Sequence, residues 1–481
     1  MKLLFVGAEA LPFASTGGLA DVLGSLPAAL KRDQGEDLDI RVVLPLYQSI
    51  SEKYRDKMEK VTEYYVQLSW RNQYCGLYSY ELNDVTYYFI DNQYYFSRGN
   101  LYGNFDDGER FAFFCMAVME MMPKIGFFPD VLHAHDWQSA LSIIYLRTKY
   151  NWMQEYRGIK TVYTIHNIAY QGIYSPEILW DVFGIWDRDR HVLDYGGSVN
   201  LTKGAVVCAD KVTTVSPTYA EEILTEHFSH GLCHILRDNS HKLSGIVNGI
   251  DYDEFNPATD KALPFHYDAE TFVEGKAAIK AALQQEVGLP VKPDVPLMVM
   301  VTRLAGHKGL DLLCYIARRL MWEEDAQLLI LGTGEAQYET FFKDLAVQFP
   351  EQVAAKITFN LGLADRIYAG GDIYLMPSKS EPCGLSQMNA MRYGTVPVVH
   401  ATGGLKDTVP GADENGNGGL GFTFQSYNGE DFLSAVERCL NLYNNDREGF
   451  RALQYRDMTQ DFSWDKPAAR YMELFHHMCN Q

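Results

Sequence analysis

Short apolar runs alternate with segments of helical spacing along most of the chain, and this alternation restricts the possible folds more than any other feature. The runs predict buried strands, the first of them at residues 3–6, 40–45, 130–134, 160–165 and 212–215. Strands that alternate with helices form parallel sheets covered by helices. The first half of the chain is therefore predicted to be an α/β domain.

The alternation breaks at residues 245–260 and then starts again. This stretch is rich in Asn, Asp and Gly, so we predict that it links two domains. Beyond it, strands are predicted at residues 297–301, 327–331, 356–359, 372–376 and 396–399. A chain of 481 residues is also too long for one ordinary core. The predicted fold class is α/β, with two doubly wound sheets in tandem. Their ligand crevices should lie at the carboxyl ends of the strands and, if they face each other, form a cleft.

Two segments depart from this alternation. Residues 61–96 contain many tyrosines in alternating runs separated by turn residues, which predicts an antiparallel hairpin insert. Their rings could bind the faces of sugars, but packing within the insert is the preferred interpretation. Residues 464–479 carry apolar side chains at helical spacing and predict a C-terminal helix that must dock on another part of the chain.

The charge and cysteine content limit the expected partners. Asp and Glu number 62 against 42 Lys and Arg, a net charge of −20, so neither nucleic acid nor an anionic membrane is an expected partner. The eight cysteines show no C-x-x-C spacing, which predicts reduced thiols and neither disulfides nor a metal site. No apolar run is long enough to span a membrane, and the N-terminus is predicted to be a strand and not a secretion signal. A cytoplasmic location is expected.

A glycine loop follows the first predicted strand. Gly17 and Gly18 come directly before a predicted helix, so the backbone N–H groups at its start could bind an anion. The loop matches neither the dinucleotide fingerprint nor the phosphate loop of nucleotide triphosphatases. An anion site and a tight turn are therefore both open interpretations of this loop.

Histidines and an aspartate follow the strand at residues 130–134. His133, His135 and Asp136 could form a metal cluster, but polar capping of the next helix, with Asp136 as N-cap, is preferred. Asp136 is kept as a candidate carboxylate of the crevice. His166 lies in the same way at the end of the strand at residues 160–165.

Two further candidates follow strands in the second half. Arg303 and Lys308 lie five residues apart between a strand and a helix, and a guanidinium with an ammonium group suits a diphosphate. Solvated surface cations are the alternative. Glu381 lies in a loop before a helix predicted at residues 385–393, where free backbone N–H groups could hold a phosphate or sugar hydroxyls. Here the alternative is a helix start with a favourable acid.

Several strings of residues occur in an order that is specific to one family. They are T-G-G-L-A-D-V at 16–22, H-A-H-D-W at 133–137, I-H-N-I-A-Y-Q-G at 165–172, V-N-G-I-D at 247–251, V-T-R-L and H-K-G-L-D within 301–311, E-P-C-G-L at 381–385, R-Y-G-T-V-P-V-V at 392–399 and T-G-G-L-K-D-T-V at 402–409. With these strings the chain resembles, essentially from end to end, the bacterial glycogen synthase and plant starch synthase family. Members of that family are retaining glucosyltransferases that use ADP-glucose.

The resemblance implies a GT-B fold of two facing Rossmann-like domains with a deep interdomain cleft. Residues 1–247 would form the acceptor-side domain and residues 248–460 the nucleotide-sugar domain, with residues 461–481 forming a helix that crosses back to the first. The implied reaction transfers glucose from ADP-glucose to the 4-hydroxyl of an α-1,4-glucan (glycogen) by front-face displacement. It requires no metal and no cofactor. Alternatives are a relative with another donor or acceptor preference, and a weakly active glucan-binding paralogue.

The resemblance also assigns roles to residues, one position at a time. Arg303 and Lys308 would neutralise the departing diphosphate, Glu381 would hold the glucose, and His166 would stabilise charge near the anomeric carbon. The remaining assignments are the distal phosphate for Gly17 and Gly18, the sugar for Asn248, the adenine for Phe359, the glucose hydroxyls for the amides of Cys383, Gly384 and Leu385, a phosphate oxygen for Ser386, and the acceptor side for Asp136 and Asp21.

The chain departs from the family pattern at a few positions. Ser15 stands where the family has a lysine that contacts the donor, so a charge-assisted contact worth about 1.5–3 kcal/mol is predicted to be missing. Smaller departures are Gln138 and Asp365, where histidine is usual, and His400, where arginine is common. Asp365 is expected to add negative charge near the nucleotide.

Overall fold

The computed structural model describes residues 1–480, and the chain forms two compact units. Unit 1 consists of Met1–Gly249 together with Trp464–Gln481, and unit 2 is Ile250–Ser463. Among the described residues, no helix is both long enough and apolar enough to cross a membrane.

The described residues of unit 1 form one nine-stranded sheet and a small three-stranded one. The strands of unit 1 are β1 (Lys2–Val6), β2 (Asp39–Pro45), β3 (Glu59–Leu68), β4 (Arg71–Leu82), β5 (Val85–Asp91), β6 (Val131–His135), β7 (Lys160–Ile165), β8 (Ile173–Tyr174), β9 (Asp194–Tyr195), β10 (Ser198–Asn200), β11 (Lys211–Thr214) and β12 (Leu243–Gly245). The large sheet has the order β12-β11-β7-β6-β1-β2-β5-β4-β3, and the small one β8-β10-β9. β6 is buried along its whole length and β1 along all but its first residue, because their apolar runs are covered on both faces.

Helices connect these strands and cover the large sheet. They are α1 (Gly18–Gln34), α2 (Glu52–Arg55), α3 (Gln93–Phe96), α4 (Asp107–Ile125), α5 (Asp136–Thr148), α6 (Gln154–Arg157), α7 (Leu201–Cys208), α8 (Pro217–Glu222) and α9 (Cys233–Asp238). The helix starts follow local chemistry in several cases. Asn200 caps α7 and Ser216 caps α8, each by accepting a hydrogen bond from a backbone N–H in the first turn.

The tyrosine-rich segment is part of the main sheet. β3, β4 and β5 pair antiparallel, as predicted, but β5 also pairs in parallel with β2. The predicted antiparallel pairing is thus confirmed, and the segment also joins the parallel part of the sheet through β5. The polar and apolar alternation of an antiparallel pair was visible in the sequence, whereas the parallel pairing depends on residues 40–45, which are distant along the chain.

Unit 2 forms a six-stranded sheet in its described residues, and all its pairings are parallel. The strands are β13 (Leu297–Val301), β14 (Gln327–Leu331), β15 (Val353–Lys356), β16 (Ile373–Met376), β17 (Val396–His400) and β18 (Phe422–Phe424), in the order β15-β14-β13-β16-β17-β18. The helices are α10 (Phe272–Val287), α11 (Leu310–Glu323), α12 (Ala336–Gln348), α13 (Leu361–Gly370), α14 (Ser386–Arg392), α15 (Gly403–Thr408), α16 (Gly429–Asn445) and α17 (Arg447–Thr459). The strand predicted at residues 356–359 was misplaced, since the pairing strand ends at Lys356.

Each sheet reverses its strand order at one point. In unit 1, β1 lies between β6 and β2, so the chain adds strands on both sides of β1. In unit 2, the strand order reverses between β13 and β16. Such reversal points leave a crevice at the carboxyl ends of the two strands, where ligands bind in open α/β sheets. The loops that follow β1, β6, β13 and β16 are therefore the places to look for a site.

The last helix, α18 (Asp465–Cys479), belongs to unit 1. Its Tyr471 and Phe475 are fully buried, and their rings lie 5.6 and 5.8 Å from the ring of His133 on β6. Phe475 also contacts Phe5 on β1, with ring centroids 6.4 Å apart. The helix thus covers the two central strands of unit 1.

Candidate active site

The glycine loop of unit 1 is held by a buried carboxylate, that of Glu9. The hydroxyl of Thr16 donates to Glu9 Oε1 at 2.7 Å and its backbone N–H donates to Oε2. The hydroxyl of Tyr102 also donates to Glu9 Oε1, at 2.6 Å. These bonds fix the backbone immediately before Gly17, where α1 begins.

The described atoms around Gly17 give no reason for a glycine at this position. Its φ of −174° is extended and available to any residue, and a Cβ added there would meet none of the described atoms within 4 Å. Gly7, at the end of β1, differs, since a Cβ there would lie 2.1 Å from Leu23 Cδ1. Because neither backbone angle nor packing requires Gly17, approach of a ligand to the backbone remains the better interpretation. Gly18 and Asp21 lie in the first turn of α1, and Ser15 is exposed beside this loop.

Histidines from β6 and β7 meet at the carboxyl ends of these strands. His135 Nδ1 lies 2.9 Å from His166 Nε2, and His133 Nε2 lies 2.6 Å from Thr164 Oγ1. Burial lowers the pKa of His133 and of His166 to about 3, and that of His135 well below its usual value. The histidines are therefore neutral near pH 7 and act by hydrogen bonding alone.

Asp136 does not cap α5, so that prediction was wrong. It is the first residue of α5, with the strained φ of +56°, and its Oδ1 accepts the backbone N–H of His166 at 2.8 Å. The side chain thus ties the end of β6 to the end of β7. Burial is the largest cause that raises the pKa of this carboxyl to about 7, while the hydrogen bonds from His166 and Asn167 oppose the shift.

The metal interpretation of this cluster has no support in the described residues, which contain no group of three or more His, Cys, Asp or Glu placed to hold an ion.

Asn248, at the end of unit 1, is buried, and its Oδ1 has no hydrogen-bond partner among residues 1–480. A buried acceptor without a partner is costly, and such atoms are often aimed at a ligand.

In unit 2, the predicted cation Lys308 and the predicted acid Glu381 form an ion pair. Lys308 Nζ lies 2.7 Å from Glu381 Oε2, and the hydroxyl of Ser378 donates to the same oxygen at 3.0 Å. Among the described residues, the hydrogen bonds to this carboxylate both fall on Oε2, which leaves Oε1 for a ligand. His400, the departure from the family arginine, lies with Nδ1 2.8 Å from the carbonyl of Ser378 and so supports this loop.

Arg303 lies in the loop after β13 and is exposed. It forms no ion pair with any residue of the described chain, in contrast to Lys308. Burial is the largest cause that lowers the pKa of His307, in the same loop; Lys308 and Arg303 lower it further, and Glu381 and Glu335 oppose the shift. The exposed guanidinium of Arg303 is thus available to an anionic ligand at the reversal point of unit 2.

The loop between Glu381 and α14 is closely packed. Gly384 adopts φ +73°, and the amide of Gln387 donates to the carbonyls of Cys383 at 3.1 Å and Gly384 at 2.9 Å. Cys383 is buried, Leu385 precedes α14, and Ser386 begins it. The carbonyls of residues 383 and 384 are thus turned into the protein and bonded.

The predicted adenine contact and the nearby departure lie farther along unit 2. Phe359 follows β15 and is 80% exposed, which is unusual for a phenylalanine and leaves its ring open to stacking. Asp365, on α13, has its pKa raised to about 7, first by burial and then by Asp260 and Glu254. Near neutral pH its negative charge is therefore reduced, contrary to the expectation of a full added charge.

Sequence reasoning missed Glu9, Ser378 and Gln387. Tyr102 donates a hydrogen bond to Glu9 across 93 positions of the sequence, and no local pattern predicts such a contact. A polar residue in an otherwise apolar run was the available signal for Glu9. Ser378 lies three residues before Glu381, so the proximity of the two was readable.

The chain matches two family models. Residues 2–238 match the family described as the starch synthase catalytic domain, and residues 284–452 match glycosyl transferases group 1. A glycogen synthase from Streptococcus agalactiae (serotype III, strain NEM316) is 46% identical over 483 residues, which cover 99% of this chain and 100% of the relative. A glycogen synthase from Bacillus cereus (strain B4264) is 47% identical over 479 residues, with 99% of each chain covered.

Two solved structures are similar. The catalytic domain of starch synthase IV from Arabidopsis thaliana, bound to ADP and acarbose, has a TM-score of 0.92 and 32% identity, and it covers 100% of this chain and 99% of its own. Sucrose-phosphate synthase from Thermosynechococcus elongatus has a TM-score of 0.61 and 17% identity, with 99% and 98% covered, and shows the fold alone.

Two Rossmann-like units with these neighbours define a glycosyltransferase of the GT-B fold, as predicted. The chain belongs to the glycogen synthase and starch synthase family. The prediction of a glycogen synthase, and so of a glycosyltransferase enzyme, is confirmed.

Proposed function

We propose that this protein transfers glucose from ADP-glucose to the non-reducing 4-hydroxyl of an α-1,4-glucan, with retention of the α configuration. The observation that carries the proposal is the ion pair of Lys308 with Glu381, close in sequence to the exposed Arg303, at the reversal point of unit 2. The similar starch synthase IV domain is bound to ADP and acarbose, a nucleotide and a glucan analogue of the expected kinds.

The diphosphate of the donor would lie against Arg303 and Lys308. The guanidinium and ammonium groups can stabilise the negative charge that grows on the leaving ADP. Gly17 and Gly18 would offer backbone N–H groups to the distal phosphate, consistent with the lack of a structural need for Gly17. Ser386 would bind a further phosphate oxygen, and Phe359 would stack on the adenine.

The glucose would be held mainly by Glu381. With Oε2 already bonded to Lys308 and Ser378, Oε1 would accept from a sugar hydroxyl in a fixed position. Backbone amides of Cys383, Gly384 and Leu385 would bind other hydroxyls, and Asn248 would add its unpartnered Oδ1.

In the chemical step, the 4-hydroxyl of the acceptor attacks the anomeric carbon from the face that ADP leaves. A C–O bond forms to the acceptor, the bond to the diphosphate oxygen breaks, and the acceptor proton passes to the leaving diphosphate. Neutral His166 would stabilise the sugar by hydrogen bonding and need not act as a base. Asp136 and Asp21 would face the acceptor. The scheme uses no metal ion and no cofactor.

A second candidate is the same reaction with another nucleotide-sugar, and the observation that favours it is Ser15. This side chain is exposed beside the Thr16 backbone that Glu9 fixes, at the place where the family lysine would add positive charge. The missing charge could lower the affinity for ADP-glucose or change the preferred donor.

The test is incorporation of glucose into glycogen from ADP-, UDP- and GDP-glucose, with wild type and Ser15→Lys side by side. We expect ADP-glucose to be preferred, and Ser15→Lys to raise kcat/KM for it about ten-fold by restoring a charge-assisted contact. Ser15→Met, with similar length and no charge, is the control.

The outcomes separate the two candidates. Activity confined to UDP- or GDP-glucose would replace the first candidate with the second. Absence of incorporation from every donor would refute both. An unchanged kcat/KM in Ser15→Lys would mean that another group already supplies the charge.

A further inference from the structure

A buried histidine joins two loops at the carboxyl edge of the unit 2 sheet. His400 is the last residue of β17 and is 7% exposed. Its Nδ1 lies 2.8 Å from the carbonyl oxygen of Ser378, in the loop after β16. Its Nε2 lies 3.3 Å from the carbonyl oxygen of Gln425, in the segment after β18. The imidazole ring is therefore a bridge between these two loops.

Both ring nitrogens of His400 face oxygens that can only accept hydrogen bonds. A neutral imidazole donates from one nitrogen, and its other nitrogen presents a lone pair. In the neutral state, one of the two carbonyls would therefore face a lone pair. The protonated ring donates from both nitrogens and satisfies both carbonyls. The geometry of the bridge thus favours the imidazolium form.

One end of this bridge leads to the carboxylate that is proposed to hold the glucose. Ser378, whose carbonyl accepts from His400, donates through its hydroxyl to Glu381 Oε2 at 3.0 Å. The backbone of Glu381 is held separately, because its carbonyl accepts the N–H of Gly404 at 3.0 Å. His400 therefore acts on the Glu381 side chain through Ser378.

An aromatic ring with charged neighbours packs on His400 from the segment after β18. The ring of Tyr427 lies 5.4 Å from that of His400, and its hydroxyl donates to Asp311 of α11 at 2.6 Å. Lys379 Nζ lies 5.8 Å from the centre of the same tyrosine ring. This side therefore brings one carboxylate and one ammonium group toward the histidine.

The remaining charged groups around His400 are also of both signs. β17 carries no other titratable side chain. In the loop after β16, Glu381 is paired with Lys308. On α16, Arg438 donates to the carbonyl of Thr423 at 2.8 Å, on the strand β18 that pairs with β17. Since these charges oppose one another, the two carbonyls are the specific reason for a protonated ring.

We propose that His400 is a positioning residue for the nucleotide-sugar: its protonated ring holds Ser378 and Gln425 together, so the affinity for the nucleotide-sugar falls as the pH rises. The proposal rests on the function proposed above, in which Glu381 binds the glucose of ADP-glucose. Histidine is the side chain that ordinarily changes its charge between about pH 5 and 8. Loss of one proton breaks one of the two bonds, whichever nitrogen keeps the other proton, and leaves the Ser378 loop less firmly placed.

The test compares wild type with His400→Arg and His400→Asn in glucose transfer from ADP-glucose to glycogen, from about pH 6 to about pH 8.5. In wild type, we expect KM for ADP-glucose to rise about five-fold over this range, the effect of one lost hydrogen bond. The kcat should change less than about two-fold relative to the variants, because Arg303 and Lys308 keep their charges.

The two variants fix the two states of the bridge. Arginine keeps its charge and offers several N–H groups, so His400→Arg should show the low KM of wild type at about pH 6 throughout the range. Asparagine gains no proton in this range and is too short to reach both carbonyls. His400→Asn should therefore show the high KM of wild type at about pH 8.5 throughout.

Other groups that change charge in this range are controlled by the same comparison. Burial raises the pKa values of Asp136 and Asp365 to about 7. Both residues are present in every variant, so any pH dependence that they cause remains in His400→Arg. His266→Asn is the matched control, because His266 is an exposed histidine of unit 2, and it should keep the wild-type profile.

Inhibition by ADP separates positioning from a general structural role. ADP lacks the glucose that Glu381 is proposed to hold, so its inhibition constant should differ less than about two-fold between wild type and His400→Asn. A change in this constant as large as the change in KM for ADP-glucose overturns the proposal. So does a pH dependence of KM that persists in full in His400→Arg. If the larger arginine prevents folding, wild type and His400→Asn decide the question, because their KM values must differ at about pH 6 and converge at about pH 8.5.

Hydrogen exchange without any substrate distinguishes this outcome from that of the proposed function. After correction for intrinsic exchange rates, mass spectrometry of residues 377–385 should show protection about five-fold lower at pH 8.5 than at pH 6 in wild type, and equal protection in His400→Arg. If this difference is seen but no glucose is transferred from ADP-glucose, the proposed reaction fails and the protonated bridge stands. If transfer occurs and wild type is equally protected at both pH values, the reaction stands and the bridge fails.

Discussion

The ion pair between Glu381 and Lys308 fixes the positions of both side chains. The carboxylate is buried, and an unpaired buried charge is strongly unfavourable. Pairing with Lys308 and with the Ser378 hydroxyl satisfies one oxygen and fixes the orientation of the other. The pair therefore preorganises a hydrogen-bond acceptor and a cation in one rigid loop, which is the arrangement that catalysis by charge stabilisation requires.

Replacement of Lys308 tests this role. We expect Lys308→Ala to lower kcat about 10²- to 10³-fold, because it removes a fixed charge that stabilises the leaving diphosphate. Steady-state assays with ADP-glucose and glycogen measure the effect. Lys379→Ala is the matched control, since Lys379 is an exposed cation two residues before Glu381 and should retain near wild-type kcat.

A Tm lowered so far that Lys308→Ala is largely unfolded at the assay temperature would contradict this prediction. In that case the pair would serve mainly to hold the fold. Circular dichroism at the assay temperature, together with Tm values for both variants, separates the two readings.

At the scale of elements, β6 and β7 bring neutral histidines together at one edge of the sheet. His133 and His166 have pKa values of about 3, below the usual 6.5. The unfolded chain binds protons below pH 6.5 that the folded chain excludes, so stability is lost as the pH falls from 6.5 toward 3. Each histidine contributes a slope of about 1.4 kcal/mol per pH unit.

Measuring Tm at pH 7.0 and 5.5 tests this slope. We expect wild type to lose more stability on acidification than His166→Gln, because glutamine binds no proton. Asp136→Asn tests a group whose contribution to stability changes with pH in the opposite direction. The pKa of Asp136 is raised to about 7, so its stabilising contribution is present below its unfolded pKa, near 3.8, and is lost as the pH rises through 7. An equal acid-induced loss in wild type and His166→Gln would contradict the assignment.

The helix α18 is an element whose packing can be tested directly. Phe475 is fully buried against Phe5 and His133, so Phe475→Ala is expected to lower the free energy of unfolding by about 3–5 kcal/mol. Urea unfolding followed by circular dichroism measures it. Glu473→Ala, at an exposed position of the same helix, should stay within about 0.5 kcal/mol of wild type. A small effect of Phe475→Ala would mean that the helix contributes little to unit 1.

How far the sequence predicts these elements depends on the kind of signal. β1, β6 and β13 were predictable because a strand covered on both faces is a nearly continuous apolar run. β15 was misplaced because Val353–Lys356 contains two alanines, while the adjoining residues 357–359, Ile-Thr-Phe, favour strands intrinsically but lie outside the ladder.

The site was predictable only in part, for a different reason. Arg303, Lys308 and Glu381 follow strands, so their neighbourhood could be inferred from topology. The strained φ of Asp136 and the hydrogen bond of Thr16 to Glu9 could not be predicted. They depend on contacts that form only after strands and loops from separate parts of the chain come together.

At the scale of the whole molecule, the groups predicted to bind the diphosphate are concentrated in unit 2. ADP should therefore slow amide hydrogen exchange most strongly at residues 303–309 and 381–387. For amides that exchange through unfolding of unit 2, a ligand at 100 times its Kd adds about 2.7 kcal/mol, or about 100-fold protection. Mass spectrometry of exchanged peptides measures this.

AMP, which lacks the distal phosphate, is the control ligand and should protect these segments less. Protection confined to Met1–Gly249 would contradict the assignment of the diphosphate to Arg303 and Lys308. Protection by AMP equal to that by ADP would contradict the role of the two cations.

Unit 1 is assembled from the first and the last parts of the chain, and this order matters during synthesis. Phe5 and His133 are synthesised long before Tyr471 and Phe475, which cover them. Until α18 has been made, the nascent chain exposes apolar surface on the central strands of unit 1, which chaperones and proteases recognise. Synthesis of α18 is thereby coupled to closure of the core over β1 and β6.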